Sequence, residues 1–386
     1  MHPLYATMPT TIFEVMSGLA RDTGAINLGQ GFPDASGPPA VLAAAADALT
    51  SISNQYPPMA GLPELRRTIA AHYLAHQGVD LDWQAEVTVT SGATEALAAA
   101  ILALVSPGDE VVLFQPMYDA YLPLVLRAGG VPRLVRLEPP GFNLTDDALA
   151  EAFSGGARVV VFNNPLNPTA TLFDAAELAL LARHVAGNDA VVIADEVWEH
   201  VVFDDARHVS LLSLPGLRER TVKIGSGGKI FSLTGWKVGW MCAAPELTRA
   251  VARAHQYLTF TTPPNLQAAV AHGLAMDAAY FSDMRAGFAR SRDRLAAGLE
   301  AAGWCTLPSA GTYFMLIDLV ASGVHLDDET FCQQLVRDSG VAAIPVSPFY
   351  ADDPVTTVAR LCFAKRDETI DAAIARMALA RELFAT

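Results

Sequence analysis

Short apolar segments alternate with helical patterns through the first two thirds of the chain. Several of these segments are hydrophobic at every position, which is typical of strands that are buried on both faces of a sheet. The pattern predicts strands over residues 86–90, 110–114, 131–137, 158–162, 190–194, 221–224 and 238–243. Strands that alternate with helices indicate an α/β domain with a mostly parallel, seven-stranded sheet flanked by helices.

The C-terminal part follows a different pattern. A long helix with polar Arg and Asp positions is predicted over residues 279–302, with strands over 313–319 and 358–363 and helices over 327–339 and 368–384. We therefore expect a large domain over residues 36–278 and a smaller α+β domain over residues 279–386. Residues 1–35 precede both domains and end in a glycine-rich loop.

Composition excludes several classes of protein. The chain has 386 residues, of which 52% are hydrophobic and 17% charged, so a folded globule is expected and a disordered chain is not. With 26 basic and 41 acidic residues the formal net charge is −15, and there is no basic cluster. Nucleic acid is therefore not an expected partner.

The N-terminal segment and the cysteines indicate where in the cell the protein is expected. The segment lacks the basic and apolar regions of a signal peptide. The longest apolar run, 96–105, has ten residues, whereas a membrane span needs about 20, so a buried helix and no membrane anchor is expected. Four scattered cysteines, at positions 242, 305, 332 and 362, form no C-x-x-C pair. This favours reduced thiols and a cytoplasmic location.

Common phosphate, hydrolase and metal motifs are incomplete. Residues 224–229 read IGSGGK, which lacks the first glycine of a Walker A loop and of a nucleophile elbow. The sequence Gly29-Gln30-Gly31 lacks the third glycine of a dinucleotide fingerprint. The nine histidines include no H-E-x-x-H pair, so no protein-built metal site is expected.

Three loops that follow predicted strands carry candidate chemistry. Lys229 follows a buried strand, and a desolvated lysine is a competent Schiff-base former, although a surface lysine in a turn would give the same pattern. Asp195 ends another strand, where it is either a helix cap or a buried carboxylate that keeps a pyridinium nitrogen protonated. The sequence Ser91-Gly92-Ala93-Thr94-Glu95 leads into a helix whose first amides could hold a phosphate.

Five separated motifs identify a family. They are NNPLNP at 163–168, ADEV at 194–197, SGGK at 226–229, TGWKVG at 234–239 and RLCF at 360–363. In this order they resemble the class I/II aminotransferases of fold type I, and the likeness covers essentially the whole chain. Residues 28–34, 54–56 and 311–314 are similar to the branch of methionine and kynurenine/glutamine aminotransferases. Residues 91–97 and 343–345 are most similar to the bacterial methionine type.

The resemblance implies a pyridoxal 5′-phosphate site. Lys229 would carry the internal aldimine and move the substrate proton, Asp195 would pair with the pyridine nitrogen, and Asn167 would bind the ring O3′. The remaining cofactor contacts that the resemblance implies are a stacking ring from Tyr118 and phosphate ligands from Gly92, Ala93, Thr94, Ser226 and Lys237.

The resemblance also implies a substrate site that two subunits share. The substrate would be bound by Arg360, Asn167 and the backbone at Gly31. The planar guanidinium of Arg360 would bind its α-carboxylate. In a homodimer, Tyr56 would reach the phosphate of the neighbouring subunit, and Phe260 would line the neighbour's side-chain pocket. The N-terminal arm, residues 1–35, would pack with the small domain and the active site.

These roles predict ping-pong transamination between an L-amino acid and a 2-oxo acid. No arginine is evidently placed for a second substrate carboxylate, and Phe260 is apolar, as are Ile12 and Phe13 if the arm folds over the site. Methionine is therefore the favoured donor, followed by aromatic amino acids or glutamine. Kynurenine aminotransferase or cysteine-S-conjugate β-lyase activity is the enzymatic alternative. A pyridoxal-phosphate-binding transcription regulator is not favoured, because only about 25 residues precede Leu28.

Two positions depart from the family pattern. Trp198 stands where a tyrosine usually donates to O3′, and an indole offers one N–H donor and no acceptor. The sequence is therefore compatible with a contact to O3′ that is kept, shifted or lost. Ala170 replaces a glycine that many class I members have, so we expect a backbone conformation there that tolerates a Cβ atom.

Overall fold

The structure, a computed structural model, describes residues 3–384. Its strands are β1 (Ile26–Asn27), β2 (Val87–Thr90), β3 (Glu110–Gln115), β4 (Val131–Arg136), β5 (Val159–Asn163), β6 (Val191–Asp195), β7 (Thr221–Ser226), β8 (Gly239–Cys242), β9 (Cys305–Thr306), β10 (Phe314–Asp318), β11 (Val341–Ala342), β12 (Ile344–Pro345) and β13 (Val358–Cys362).

Helices connect and cover these strands. They are α1 (Pro3–Thr7), α2 (Ile12–Thr23), α3 (Pro39–Ser51), α4 (Pro63–Gln77), α5 (Trp83–Glu86), α6 (Ala93–Leu104), α7 (Tyr121–Ala128), α8 (Asp146–Phe153), α9 (Ala175–Gly187), α10 (Gly227–Ile230), α11 (Pro245–Leu258), α12 (Pro264–Leu274), α13 (Ala278–Ala301), α14 (Asp328–Gln334) and α15 (Asp367–Phe384). Short 3₁₀ segments cover Leu211–Ser213, Arg218–Arg220, Thr234–Trp236 and Ser347–Phe349, and a π turn covers Leu335–Ser339.

The large sheet has seven strands in the order β2-β8-β7-β6-β5-β3-β4. All pairs are parallel except those of β8, which runs antiparallel to both β2 and β7. The predicted α/β fold with a mostly parallel seven-stranded sheet is therefore confirmed. The strand ends differ from the prediction by one or two residues; for example, Glu86 ends α5 and does not open β2.

The C-terminal part has its own antiparallel sheet in the order β12-β13-β10-β9. The N-terminal segment joins this part through β1, which pairs in parallel with β11. The long helix α13 begins at Ala278, where we placed the domain boundary; that boundary stays a prediction. Residues 1–2 of the predicted arm and 385–386 of the predicted small domain lie outside the described residues.

Burial explains the apolar runs in the sequence. Every residue of β2, β5 and β7 is buried, because helices cover both faces of the sheet. The ten-residue apolar run predicted as a buried helix forms most of α6, and Ala96, Leu97 and Ile101 are buried there. No helix within residues 3–384 combines the length and the apolar character that crossing a membrane requires.

Candidate active site

Strand ends of the large sheet converge on one cavity of about 180 Å³. β5 and β6 end side by side with Asn163 paired to Asp195, and β7 runs directly into the single turn of α10, which carries Lys229. Carboxyl ends of parallel strands meet at one edge of a sheet, where ligands of such folds bind. Ten of the residues predicted from the sequence line the cavity: Gly92, Ala93, Thr94, Tyr118, Asn167, Asp195, Trp198, Ser226, Lys229 and Lys237.

The amine of Lys229 lies against aromatic rings. Its Nζ is 4.5 Å from the centroid of the Trp198 ring and 3.4 Å from the Tyr313 Oη. Burial lowers the pKa of Lys229 to about 8, although the charge of Asp195 opposes this shift. A lysine with this pKa is partly neutral near physiological pH and can act as a nucleophile or a base. The reading of Lys229 as an exposed turn residue therefore does not fit the structure.

Asp195 is a buried carboxylate that keeps hydrogen-bond partners. The Tyr121 Oη donates to Asp195 Oδ2 at 2.6 Å, and the Val197 N–H approaches Oδ1 at 3.4 Å. Burial raises the pKa of Asp195, while the Tyr121 hydrogen bond opposes that shift. The sequence prediction missed Tyr121. Tyr121 is the first residue of α7, and no sequence motif marked it.

The N-terminus of α6 opens into the cavity. Gly92 is its N-cap residue with φ +81°, a conformation that favours glycine, and no side chain of the described residues caps this helix. A Cβ atom at Gly239, on the neighbouring strand, would lie 2.7 Å from the Gly92 carbonyl carbon. Lys237 also borders the cavity and pairs with no carboxylate within residues 3–384. Free amides and an unpaired ammonium make this end of the cavity suited to an anion.

Arg360 lies on β13 with its guanidinium buried beside the cavity. Its Nη1 donates to the Asn167 Oδ1 at 2.8 Å and its Nη2 to the Gly29 carbonyl at 3.0 Å. Its Nε has no partner among the described residues. Burial lowers the pKa of Arg360 to about 10, so the group stays a cation at neutral pH. The contact with Asn167 joins Arg360 to the wall of the cavity.

The loop at Gly31 meets the same region. The Tyr313 Oη donates to the Gly31 carbonyl at 2.7 Å, which places Tyr313 between this loop and Lys229. A Cβ atom at Gly31 would lie 2.8 Å from the Phe314 ring, so the backbone approaches that ring closely. In the sequence, Tyr313 belongs to a motif at residues 311–314 that carried no predicted role for this side chain.

Tyr56 and Phe260 do not reach the cavity of their own chain. Tyr56 is 84% exposed and Phe260 39% exposed, and their rings pack edge to face with centroids 5.7 Å apart. Ile12 and Phe13 belong to the N-terminal arm. The Phe13 ring is 5.1 Å from the Arg360 Cζ, as expected if the arm covers the site around Arg360.

The two departures from the family pattern have different outcomes. Trp198 lines the cavity with its ring perpendicular to that of Tyr313, and its indole N–H donates to no protein atom of the described chain. This donor is therefore available to a ligand. The expectation for Ala170 is wrong: φ is +64°, in the left-handed region, where a Cβ atom costs about 1 kcal/mol or more.

The residues present fit pyridoxal 5′-phosphate. The cavity combines a partly neutral amine, a buried carboxylate and an anion-binding helix end, which are the three groups that the aldehyde, the pyridine nitrogen and the phosphate of this cofactor require. Lys229, Asp195 and the amides of Ala93 and Thr94 could hold those three parts. The Gly92 N–H already donates to the Thr90 carbonyl at 2.8 Å.

Comparison with known proteins agrees with this chemistry. The family model "Aminotransferase class I and II" matches residues 23–377. A probable N-succinyldiaminopimelate aminotransferase, DapC, of Mycobacterium tuberculosis (strain ATCC 25618 / H37Rv) is 46% identical over 98% of each chain. The methionine aminotransferase of Escherichia coli (strain K12) is 42% identical over 95% of each chain. The solved structure of the Mycobacterium tuberculosis N-succinyldiaminopimelate aminotransferase superposes with a TM-score of 0.95, covering 98% of this chain and 100% of that one.

Proposed function

Because this chain belongs to the class I and II aminotransferases, we propose that it transfers the amino group of an L-amino acid with an uncharged side chain to a 2-oxo acid in a ping-pong cycle. The chain is a pyridoxal-phosphate-dependent aminotransferase. The observation that carries the substrate proposal is the position of Arg360, which borders the cavity of Lys229 and Asp195 and is surrounded by aromatic rings.

Several residues would hold the cofactor, which when bound supplies an electron-withdrawing ring that stabilises negative charge at the substrate Cα. Asp195 would keep the ring nitrogen protonated, Asn167 and the Trp198 indole N–H would face the ring oxygen, and Tyr118 would stack on the ring. The phosphate would lie among the groups at the other end of the cavity: Gly92, Ala93, Thr94, Ser226, Lys237 and, from a second subunit, Tyr56.

Lys229 and Arg360 would act on the substrate. Arg360 would bind the α-carboxylate through its planar fork, supported by the backbone at Gly31, and so fix the orientation of the Cα–H bond. The Lys229 Nζ, once neutral, would take the proton from the substrate Cα. Burial of that amine supports this role, because desolvation favours the neutral base.

Methionine is the favoured donor, and aromatic amino acids or glutamine come next. Ile12 and Phe349 line an apolar groove that Arg360 adjoins, and sulfur or aromatic side chains gain most from such surroundings. The E. coli relative supports methionine, whereas the Mycobacterium relative points to a succinylated diamino acid. The donor is therefore the feature to test first.

Assembly and location are part of the same proposal. We propose a homodimer in which Tyr56 and Phe260 complete the partner's site, because both side chains are exposed and neither lines the cavity of its own chain. We also propose a cytoplasmic enzyme that binds neither nucleic acid nor membrane. The four unpaired cysteines support this location.

A donor panel on the purified, cofactor-loaded enzyme tests the proposal. We expect turnover with methionine above that with phenylalanine, glutamine, kynurenine and N-succinyldiaminopimelate. The Lys229→Ala variant should lose the visible absorbance of the bound cofactor and essentially all turnover, because it lacks both the Schiff-base amine and the base. Multiple turnovers by Lys229→Ala would refute the assignment.

β-Elimination from cysteine conjugates is the second candidate reaction. It needs the same removal of the Cα proton by Lys229, followed by loss of a leaving group from Cβ. Release of pyruvate and ammonia from a cysteine conjugate without any oxo acid would favour the lyase, whereas a strict requirement for the oxo acid would favour transamination.

A further inference from the structure

A groove of about 500 Å³ lies on the outer side of Arg360. Ile12, Met117 and Phe349 give it apolar walls. The Phe349 ring is 5.8 Å from the Arg360 Cζ, and it packs on the Phe13 ring with centroids 5.4 Å apart. The groove and the Arg360 guanidinium therefore share a wall. A substrate whose α-carboxylate is bound at Arg360 would meet this groove if its side chain pointed toward Phe349.

The charged residues that line this groove are both acidic: Asp119 and Glu329. Glu329 is exposed at the rim, whereas Asp119 is half-buried in the turn between β3 and α7. Within residues 3–384, Asp119 has no ion pair. Burial raises the pKa of Asp119, and the positive charge of Arg360 opposes this shift. The two groups are thus close enough to interact electrostatically.

We propose that Asp119 is a specificity-determining residue, which selects against donors and acceptors that carry a second carboxylate. This inference rests on the proposed function, in which Arg360 binds the α-carboxylate. A side-chain carboxylate in the groove would face Asp119 with no described cation in the lining to neutralise either charge, and like charges in a partly desolvated site repel strongly. A side-chain amide or thioether of similar size meets no such repulsion.

Glutamine and glutamate form the sharpest pair of probes, since they have nearly the same shape and differ in charge. We expect the wild-type enzyme to prefer glutamine to glutamate in kcat/KM. In Asp119→Asn, the ratio of the two kcat/KM values should fall by about tenfold, because one repulsive charge has been removed. Turnover of methionine, which carries no side-chain charge, should change by less than about threefold. Asp283→Asn, an exposed aspartate on α13, removes the same charge as a control and should leave the ratio unchanged.

Binding of unreactive acids gives a second readout that does not depend on turnover. Calorimetric titration of the cofactor-loaded enzyme with hexanoate and adipate compares one carboxylate with two on the same chain length. Asp119→Asn should lower the dissociation constant of adipate about tenfold relative to that of hexanoate. An unchanged glutamine/glutamate ratio together with unchanged relative acid binding would overturn the proposal while methionine turnover persists. Absence of turnover with every donor would instead contradict the proposed function.

Discussion

Lys229 is a residue whose chemistry depends on pH in a predictable direction. Attack on the cofactor aldehyde requires the neutral amine. With a pKa of about 8, roughly a tenth of the amine is neutral at pH 7, against less than about a thousandth for an ordinary lysine. The rate at which the apoprotein takes up pyridoxal phosphate, followed by absorbance, should therefore rise with pH through about 8 and then level off.

Asp195 adjusts this pH dependence. Its negative charge favours the ammonium form of Lys229, so Asp195→Asn should move the midpoint of the uptake rate below pH 8. Asp205→Asn, an exposed aspartate, serves as the control and should keep the wild-type midpoint. A midpoint near 10 in the wild-type protein would contradict the assignment of a desolvated amine.

The sequence predicted the residues that we propose to react, but not the residues that contact them. Lys229, Asp195 and Arg360 were predicted because their motifs or strand-end positions identify them. Tyr121 and Tyr313 were not assigned, because their roles depend on which oxygen they face across the cavity. The conformation of Ala170 was predicted wrongly, because a single residue type does not determine φ.

At the scale of secondary-structure elements, a buried ionic cluster fixes the turn after β6. Lys223 on β7 is fully buried and contacts the Glu196 carboxylate and, at 2.7 Å, that of Glu199. Those two glutamates flank the turn that carries Trp198. Burial alone would raise the pKa of Glu199, but the charges of Lys223, His200 and His208, with the Lys223 hydrogen bond, together outweigh burial and lower the pKa to about 2.

Removal of this cation should destabilise the fold. Lys223→Met leaves two buried carboxylates without a counter-charge, which should lower the free energy of unfolding by about 3–5 kcal/mol in urea titrations. Adding Glu196→Gln and Glu199→Gln should recover more than half of that loss, because the carboxylate charges are then gone. Arg294→Met breaks exposed pairs with Asp367 and Asp371 and should cost about 1 kcal/mol or less. If Lys223→Met and Arg294→Met lowered the free energy of unfolding equally, this role of the cluster would be contradicted.

The elements themselves were largely predictable. Mostly apolar runs identified the strands of the large sheet, because burial on both faces favours apolar residues, as in β5. β7 is an exception, since it is fully buried and still carries Lys223. The antiparallel direction of β8 was not predictable from local pattern, since pairing depends on strands far apart in sequence. The short strands β9, β11 and β12 have two residues each, too few to give a periodic signal.

At the scale of the whole molecule, the exposed ring pair of Tyr56 and Phe260 suggests how two chains would share their sites. The formal charge of −15 does not determine the ligand, because Lys237 and Arg360 supply local positive charge for two anions. If the ring pair completes the partner's site, then each site contains Lys229 from one chain and Tyr56 from the other. This division allows a test by complementation.

Two inactive variants should restore activity when they form mixed dimers. One is Lys229→Ala, and the other combines Tyr56→Ala with Phe260→Ala. Random association makes about half of the dimers mixed, and each mixed dimer has one intact site, so about a quarter of the wild-type activity should return. Mixing Lys229→Ala with Asp195→Asn is the matched control. Each substitution disables the cavity of the chain that carries it, so a mixed dimer has no intact site. Differently tagged subunits, co-purified to prove that mixed dimers form, make the result decisive: no recovery in the first mixture would exclude shared sites.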